Sequence, residues 1–214
     1  MFIEKKSINI LFAIVFVIGI IIYIAPKLDQ AAYTLLNGHL AFMPLWYKKM
    51  IAMMNHRLEN YMNLFLILFS FTLAVPTDSK KIKKYWFFIL GLIIFYEFCY
   101  QIIVRLDHTK LFLRSSPSFH FNGIDLSIFD PANIKIYAQS SFPSGHAIVL
   151  GYWCASTSFL FPVHMQTPCR AISFLLCLPR LIGGGHWLSD VVTGYILGNL
   201  FFEAYLSLVT FSRH

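Results

Sequence analysis

Carboxylates are scarce in this chain. Asp and Glu number 10 among 214 residues, and charged residues of all kinds make up 13%. Such a chain has no carboxylate cluster from which to build a two-metal site, and too little charge to clothe a soluble domain of this size. Cysteine is equally thin. Cys99, Cys154, Cys169 and Cys177 stand apart, none in a Cys-x-x-Cys pair and most inside apolar runs. That spacing points to no disulfide framework or zinc site and leaves packing as their role. Internal repeats and low-complexity segments are lacking as well.

What is abundant is apolar surface: 57% of the residues are hydrophobic and the mean hydropathy is +0.64. The chain reads as one integral-membrane domain over 1–214. The net charge of +7 does not signal a nucleic-acid partner, because the basic residues sit in short clusters between apolar runs. Clusters of that kind set membrane topology. The apolar runs predict an all-α bundle of six spans, at about 8–25, 61–75, 85–104, 145–161, 171–182 and 188–211. The first follows Lys5 and Lys6, is longer than a signal h-region and precedes no small-x-small cleavage site, so it is expected to stay as an anchor. Between the first two spans, about 30–58, apolar residues mix with Trp46, Tyr47, Lys48 and Lys49, the composition of helices lying at headgroup depth.

Sidedness follows from the lysines. "PTDSKKIKKYW", between spans two and three, carries four lysines in five residues and is expected in the cytoplasm. Both termini then fall on that side, and 26–60, 105–144 and 183–187 on the other. Three polar constellations occupy this second face. They are "HTKLFLRSSP" with Lys110 and Arg114, "SFPSGH" with Ser144, Gly145 and His146, and "PRLIGGGHWLSD" with Arg180, His186 and Asp190.

Each has a chemical reading beside a structural one. His186 and Asp190, four apart, share a helix face. The carboxylate there fixes the ring tautomer and leaves the other nitrogen nucleophilic, or the pair serves helix entry alone. Arg180 at a span boundary holds an anion or snorkels to headgroups. The glycines at 183–185 permit close approach to an anion or a sharp turn. Arg114 offers a fork for phosphate or for lipid headgroups. Pro143 and Ser144 suit a helix start whose amides attract anions, and His146 stands ready as proton donor; otherwise Ser144 is a plain cap and His146 an interfacial ring. Together these groups describe a phosphoryl site without metal, with basic groups neutralising the transferred charge.

The residues Pro143-Ser144-Gly145-His146 and Arg180-x5-His186-x3-Asp190 resemble the second and third motifs of the type 2 phosphatidic acid phosphatase (PAP2) superfamily, which shares its site with vanadium haloperoxidases. Pro179 stands where that third motif has serine. The first motif, Lys-x6-Arg-Pro, departs: Arg114 is followed by Ser-Ser-Pro, and Asp107 occupies the lysine position, with Lys110 or Arg105 as substitutes. "RSSPSF", "SFPSGH", "PRLIGGGHWLSD" and the "NHR" of Asn55–Arg57 look like the branch containing lipid A 1-diphosphate synthase, whose second motif reads Phe-Pro-Gly-Asp-His. The resemblance implies a nucleophilic His186, an orienting Asp190 and a general acid and base in His146. It implies phosphate held by Arg114, Arg180, Ser144, Gly145 and Lys110. His56 and Arg57 are read as contacts to a second phosphate or as interface anchors.

The resulting expectation is a cofactor-free and metal-free lipid phosphate or diphosphate phosphatase. It would work through a phosphohistidine at the periplasmic face of a bacterial inner membrane, with membrane lipids as its surroundings. Candidate substrates are undecaprenyl diphosphate, lipid A phosphates, phosphatidic acid and phosphatidylglycerol phosphate. The alternatives are a phosphotransferase carrying phosphate from undecaprenyl diphosphate to lipid A, and a transporter or scaffold that kept the motif shell.

Overall fold

The structure is a computed structural model that describes residues 26–56, 59–75, 79–108 and 114–211. Seven α-helices lie within them: α1 (26–39), α2 (Leu45–Met53), α3 (Glu59–Leu73), α4 (Ser79–His108), α5 (Gly145–Leu160), α6 (Val163–Ile182) and α7 (Leu188–Phe211). Short 3-10 turns cover Leu40–Phe42, Pro117–Phe119 and Leu126–Phe129. Among the described residues there is no strand, only an isolated bridge between His56 and Ile134. Helices α3 to α7 fall on the second to sixth expected spans; the first, 8–25, lies outside the described residues.

Two windows, Tyr85–Ile103 in α4 and Leu188–Val209 in α7, are long and apolar enough to cross a membrane. Helices α3 and α5, with 15 and 16 residues, extend only about 23 Å at the helical rise, against an apolar layer of about 30 Å. Helix α6 begins at Val163, before the apolar run that starts near Ala171. Pro162, at φ −56°, starts it, and its first turns carry exposed polar residues such as His164 and Arg170. The helix runs through Pro168 and Pro179.

The outer faces are apolar. Phe65 and Phe69 on α3, Phe87, Leu90, Ile94 and Phe98 on α4, and Phe174 and Leu175 on α6 are all exposed. An apolar skin of that extent belongs against lipid. Inside, Phe71, Tyr85, Ile89, Leu92, Tyr152, Phe202 and Tyr205 form one core and Leu150, Trp153, Cys177, Leu181 and Val191 a second.

Helices α5 and α7 make the most extensive contact in the bundle, and glycine is the reason. A Cβ on Gly198 would strike the carbonyl of Ile148, one on Gly194 the carbonyl of Ser144, and one on Gly151 the carbonyl of Tyr195. Gly194 and Gly198 form the small-x-x-x-small spacing that lets two helix backbones meet in lipid. Gly198→Ala gains at most about 1 kcal/mol in helix propensity and loses about 1–3 kcal/mol to overpacking. A lower unfolding midpoint in detergent is therefore expected; an unchanged midpoint would remove close packing as the reason for glycine here.

A cap closes one end of the bundle. Leu40, Ile51, Ala52, Leu126, Ile134 and Ile136 form its own small core, built from the 30–58 segment and the long loop before α5. The segment expected at the interface thus has two faces. Phe42, Trp46, Met50 and Met53 are exposed, while the opposite face packs on the loop. In α1 the residues Asp29, Tyr33 and Asn37 are buried at intervals of four, one helical stripe directed at the turn between α6 and α7.

Candidate active site

The α6–α7 turn is built to hold one histidine. Helix α6 ends as Gly183 N–H donates to Pro179 O (2.9 Å) and Gly184 N–H to Leu181 O (3.1 Å). Gly184 takes φ +76°, the left-handed conformation that glycine adopts at no steric cost. The chain then folds back, with Gly185 and His186 N–H both donating to Arg180 O, at 3.1 and 3.3 Å. Two asparagines secure the helix end from outside it. Asn55 Nδ2 donates to Pro179 O (2.8 Å) and Asn37 Nδ2 to Ile182 O (3.1 Å). The glycine run is therefore the sharp turn of its two sequence readings.

The His186 ring is held by Ser141. Its Nδ1 lies 2.8 Å from Ser141 O. A carbonyl only accepts, so Nδ1 carries a proton, and in the neutral ring the lone pair is on Nε2. Ser141 is itself fixed, with its N–H and Oγ–H donating to Arg114 O at 2.7 and 2.9 Å. The expectation that Asp190 takes the ring hydrogen bond needs correction. Asp190 Oδ2 lies 3.8 Å from Nδ1, beyond hydrogen-bond reach. It accepts instead from Trp187 N–H at 2.9 Å, reaching back across the first turn of α7 as an acidic residue does in a capping box.

Arg114 is also placed differently from expectation. Its guanidinium donates to Ser189 Oγ (2.5 Å), to Asp190 Oδ1 (3.0 Å) and, in a very short contact, to Asp29 Oδ2. It lies over the Trp187 ring, 4.9 Å from the centroid. Asp29 completes the cluster by accepting from Ser189 N–H (2.8 Å) and Ser189 Oγ–H (2.6 Å). Both carboxylates are almost fully buried, Asp29 at 1% exposure and Asp190 at 0%. They sit at the N-terminus of α7, where the helix dipole favours negative charge. Arg114 spends its fork on these two anions behind His186. Lys110 lies outside the described residues.

Ser144 is the N-cap of α5, its Oγ accepting from Ala147 N–H at 3.4 Å and its own N–H donating to Asp190 O at 3.1 Å. It is fully buried. The structure gives it the capping role rather than direct access to a phosphate. His146, in the first turn of α5, is buried and places Nε2 3.0 Å from Leu176 O. By the same carbonyl argument that nitrogen bears a proton. Arg180 is buried at the end of α6.

A cavity of about 540 Å³ gathers the ends of these elements. His146, His186, Arg180 and Gly145 line it together with Lys135, Glu97, Tyr96 and Tyr100. Arg114, Ser144 and Asp190 do not. His56 and Asn55 also stay outside it: His56 Nε2 lies 3.3 Å from Asp130 Oδ2, and Asn55 O accepts from Lys135 N–H at 3.0 Å. The Asp130 carboxyl is held below its ordinary value by the Asn133 hydrogen bond, with His56 adding to the effect against a desolvation penalty. Asp29, Asn37, Ser141, Ser189 and Lys135 are participants that escaped the sequence reading. The four-residue spacing of Asp29, Tyr33 and Asn37 was a visible signal; for Ser141 and Lys135 no signal stands out.

Two histidines and an arginine thus meet in a cavity of a helical bundle whose outer faces are apolar. The PAP2 superfamily model matches residues 85–213, and the chain belongs to that superfamily. A lipid A 1-phosphatase of Rhizobium etli is 31% identical over 100 residues, covering 47% of this chain and 41% of that protein. A lipid A 1-phosphatase of Rhizobium johnstonii is 26% identical over 139 residues, covering 65% and 55%. The chain thus spans about half the length of the curated relatives it matches. The fold is similar to the crystal structure of Aquifex aeolicus LpxE, with TM-score 0.57 and 18% identity, over 84% of this chain and 95% of that one. It is equally similar to a transmembrane PAP2-type phosphatidylglycerolphosphate phosphatase from Bacillus subtilis, with TM-score 0.57 and 14% identity, over 96% of each chain.

Proposed function

We propose that this chain is an integral-membrane lipid phosphate or diphosphate phosphatase that works through a phosphohistidine at the membrane face away from the cytoplasm. The observation that carries the reading is the meeting of His146, Arg180 and His186 in one cavity. In the neutral ring the Nδ1 hydrogen bond to Ser141 O selects the tautomer with its lone pair on Nε2, and that nitrogen attacks phosphorus. The N–P bond forms as the P–O bond to the lipid breaks. His146, its Nε2–H engaged at Leu176 O, enters the step as imidazolium and gives the leaving oxygen its Nδ1 proton, which the attacking water later restores. Arg180 and the α5 amides at Gly145 take the equatorial oxygens. The phosphorylated ring is cationic, and the Asp190 carboxylate at 3.8 Å stabilises it across that gap. Water then attacks phosphorus, yields a proton to His146 and releases phosphate as the N–P bond breaks. Asp190, Arg114 and Ser144 act from behind the cavity by positioning.

The phosphatase names of the curated relatives favour water as acceptor, and their lipid A 1-phosphate comes first among candidate substrates. Undecaprenyl diphosphate, phosphatidic acid and phosphatidylglycerol phosphate follow. The cavity serves a phosphotransferase equally well, because donor chemistry is identical until the acceptor enters. The test incubates the purified chain with radiolabelled lipid A or undecaprenyl diphosphate, with and without an acceptor lipid and with EDTA. Free labelled phosphate without acceptor, undiminished by EDTA, is expected. Label passing to lipid A with little release in its absence would replace hydrolysis by transfer, and loss of activity in EDTA would sink the site chemistry.

A further inference from the structure

The cavity holds a cation that belongs to none of the three motifs. Lys135 stands on the loop before α5, 45 residues upstream of Arg180, and lines the cavity with His146, Arg180 and His186. We propose that Lys135 is a substrate-binding residue that takes phosphate oxygens at the cavity rim, a role left open by the departure of the first motif. The proposal rests on the phosphatase reading above.

The placement of Lys135 is fixed from several directions. Its N–H donates to Asn55 O at 3.0 Å. Ile134 before it bridges to His56, and Ile136 after it is fully buried, its carbonyl accepting from Ser116 Oγ–H at 2.8 Å. Ile134 and Ile136 enter the cap core while Lys135 between them is exposed, the alternation of extended chain. The buried neighbours therefore leave the lysine outside the cap core, on a stretch of loop that lines the cavity. Its own carbonyl lies directly on Gly185, 3.1 Å from where a Cβ would stand, one residue before His186. The loop thus docks beside the candidate nucleophile.

The charge arithmetic asks for such a group. Of the basic residues expected at the phosphate, two lie in the described residues: Arg114 is engaged by Asp29 and Asp190, and Arg180 lines the cavity from the buried end of α6. A phosphoryl group in transfer spreads charge over three equatorial oxygens, and an ammonium on a flexible stem reaches them as a point charge. Among the described residues one carboxylate, Glu97, lines the same cavity from α4, and it accepts from Gln101 Nε2 at 2.6 Å. Among the described residues cations therefore outnumber anions on the wall.

The experiment compares wild type, Lys135→Met and Lys135→Arg as purified full-length chains in detergent. Inorganic phosphate binding is read by calorimetric titration, and KM and kcat are read on phosphatidic acid and undecaprenyl diphosphate. Lys135→Met is expected to weaken phosphate binding or raise KM roughly 10- to 100-fold, the range of a lost hydrogen bond to a charged group. Lys135→Arg should stay near wild type, and because Lys135 is exposed the unfolding midpoint should not move. A raised KM on both lipids assigns the lysine to the reacting phosphate; a raised KM on the diphosphate alone assigns it to a second phosphate. Unchanged phosphate binding with unchanged KM on both lipids overturns the proposal. A wild-type chain that binds phosphate but releases none from lipid would overturn the phosphatase reading, with Lys135 still tested by the titration. A chain that does neither overturns both.

Discussion

His186→Asn is expected to lower phosphate release by roughly 10⁴-fold or more, the scale on which loss of a nucleophile acts. Asparagine is chosen because its amide can still donate to Ser141 O, where His186 Nδ1 now lies at 2.8 Å. The turn after α6 is held by backbone bonds from Gly183, Gly184 and Gly185, so the fold should survive the substitution. Unfolding midpoints within about 1 kcal/mol of wild type would then separate a chemical loss from a structural one. The acid-labile phosphoprotein seen in wild type after rapid quench should vanish. His146→Asn should behave differently. Loss of an acid and base costs about 10²–10⁴-fold, and slow attack by water should leave phosphohistidine accumulated when the leaving group is a good one. Residual turnover in His186→Asn with labelled phosphoprotein still present would move the nucleophile elsewhere.

The second large effect concerns stability. Arg114→Ala removes the guanidinium that Asp29 and Asp190 share, leaving two almost fully buried carboxylates at the α7 N-terminus. Breaking a buried pair from one side costs about 3–5 kcal/mol. Arg114 itself keeps 31% side-chain exposure, which places the expected cost toward the lower end of that range. Denaturation in mixed micelles reads it directly. Asp29→Asn in the Arg114→Ala background removes one stranded charge while keeping an acceptor for Ser189, so the double variant should recover part of the loss, a coupling that a cycle of the four proteins measures. A phosphate clamp would behave otherwise: Arg114→Ala would then raise KM and leave the unfolding midpoint alone.

These contrasts show where sequence reasoning reached and where it stopped. Helix positions were legible because apolar runs in a lipid-facing protein are long and interrupted by few charges. Thus α4, α5 and α7 start or end within a few residues of their apolar runs. The α6 start was missed because its first turns, with His164 and Arg170, are polar and carry Pro168, so composition there does not resemble a span. The convergence of "SFPSGH" and "PRLIGGGHWLSD" followed from counting membrane crossings, and His146, Arg180 and His186 do line one cavity. What spacing could not reveal was which polar group touches which. The i, i+4 relation of His186 and Asp190 puts both on one side of a helix start, yet Trp187 N–H captures the carboxylate and Ser141 captures the ring.

By itself, then, the sequence located the helices α3 to α7, but for the start of α6, and the residue types that meet in the cavity. Periodicity, hydropathy and local capping are properties of neighbouring residues. Tertiary structure decided the division of labour among the cations: Arg114 turned inward to two carboxylates, Arg180 into the cavity and Lys135 onto its rim. That division depends on Asp29, which lies 85 residues before Arg114, and on the docking of the 114–141 loop against α1 and α2. A contact across such a separation is set by packing and charge balance, for which local sequence holds no record.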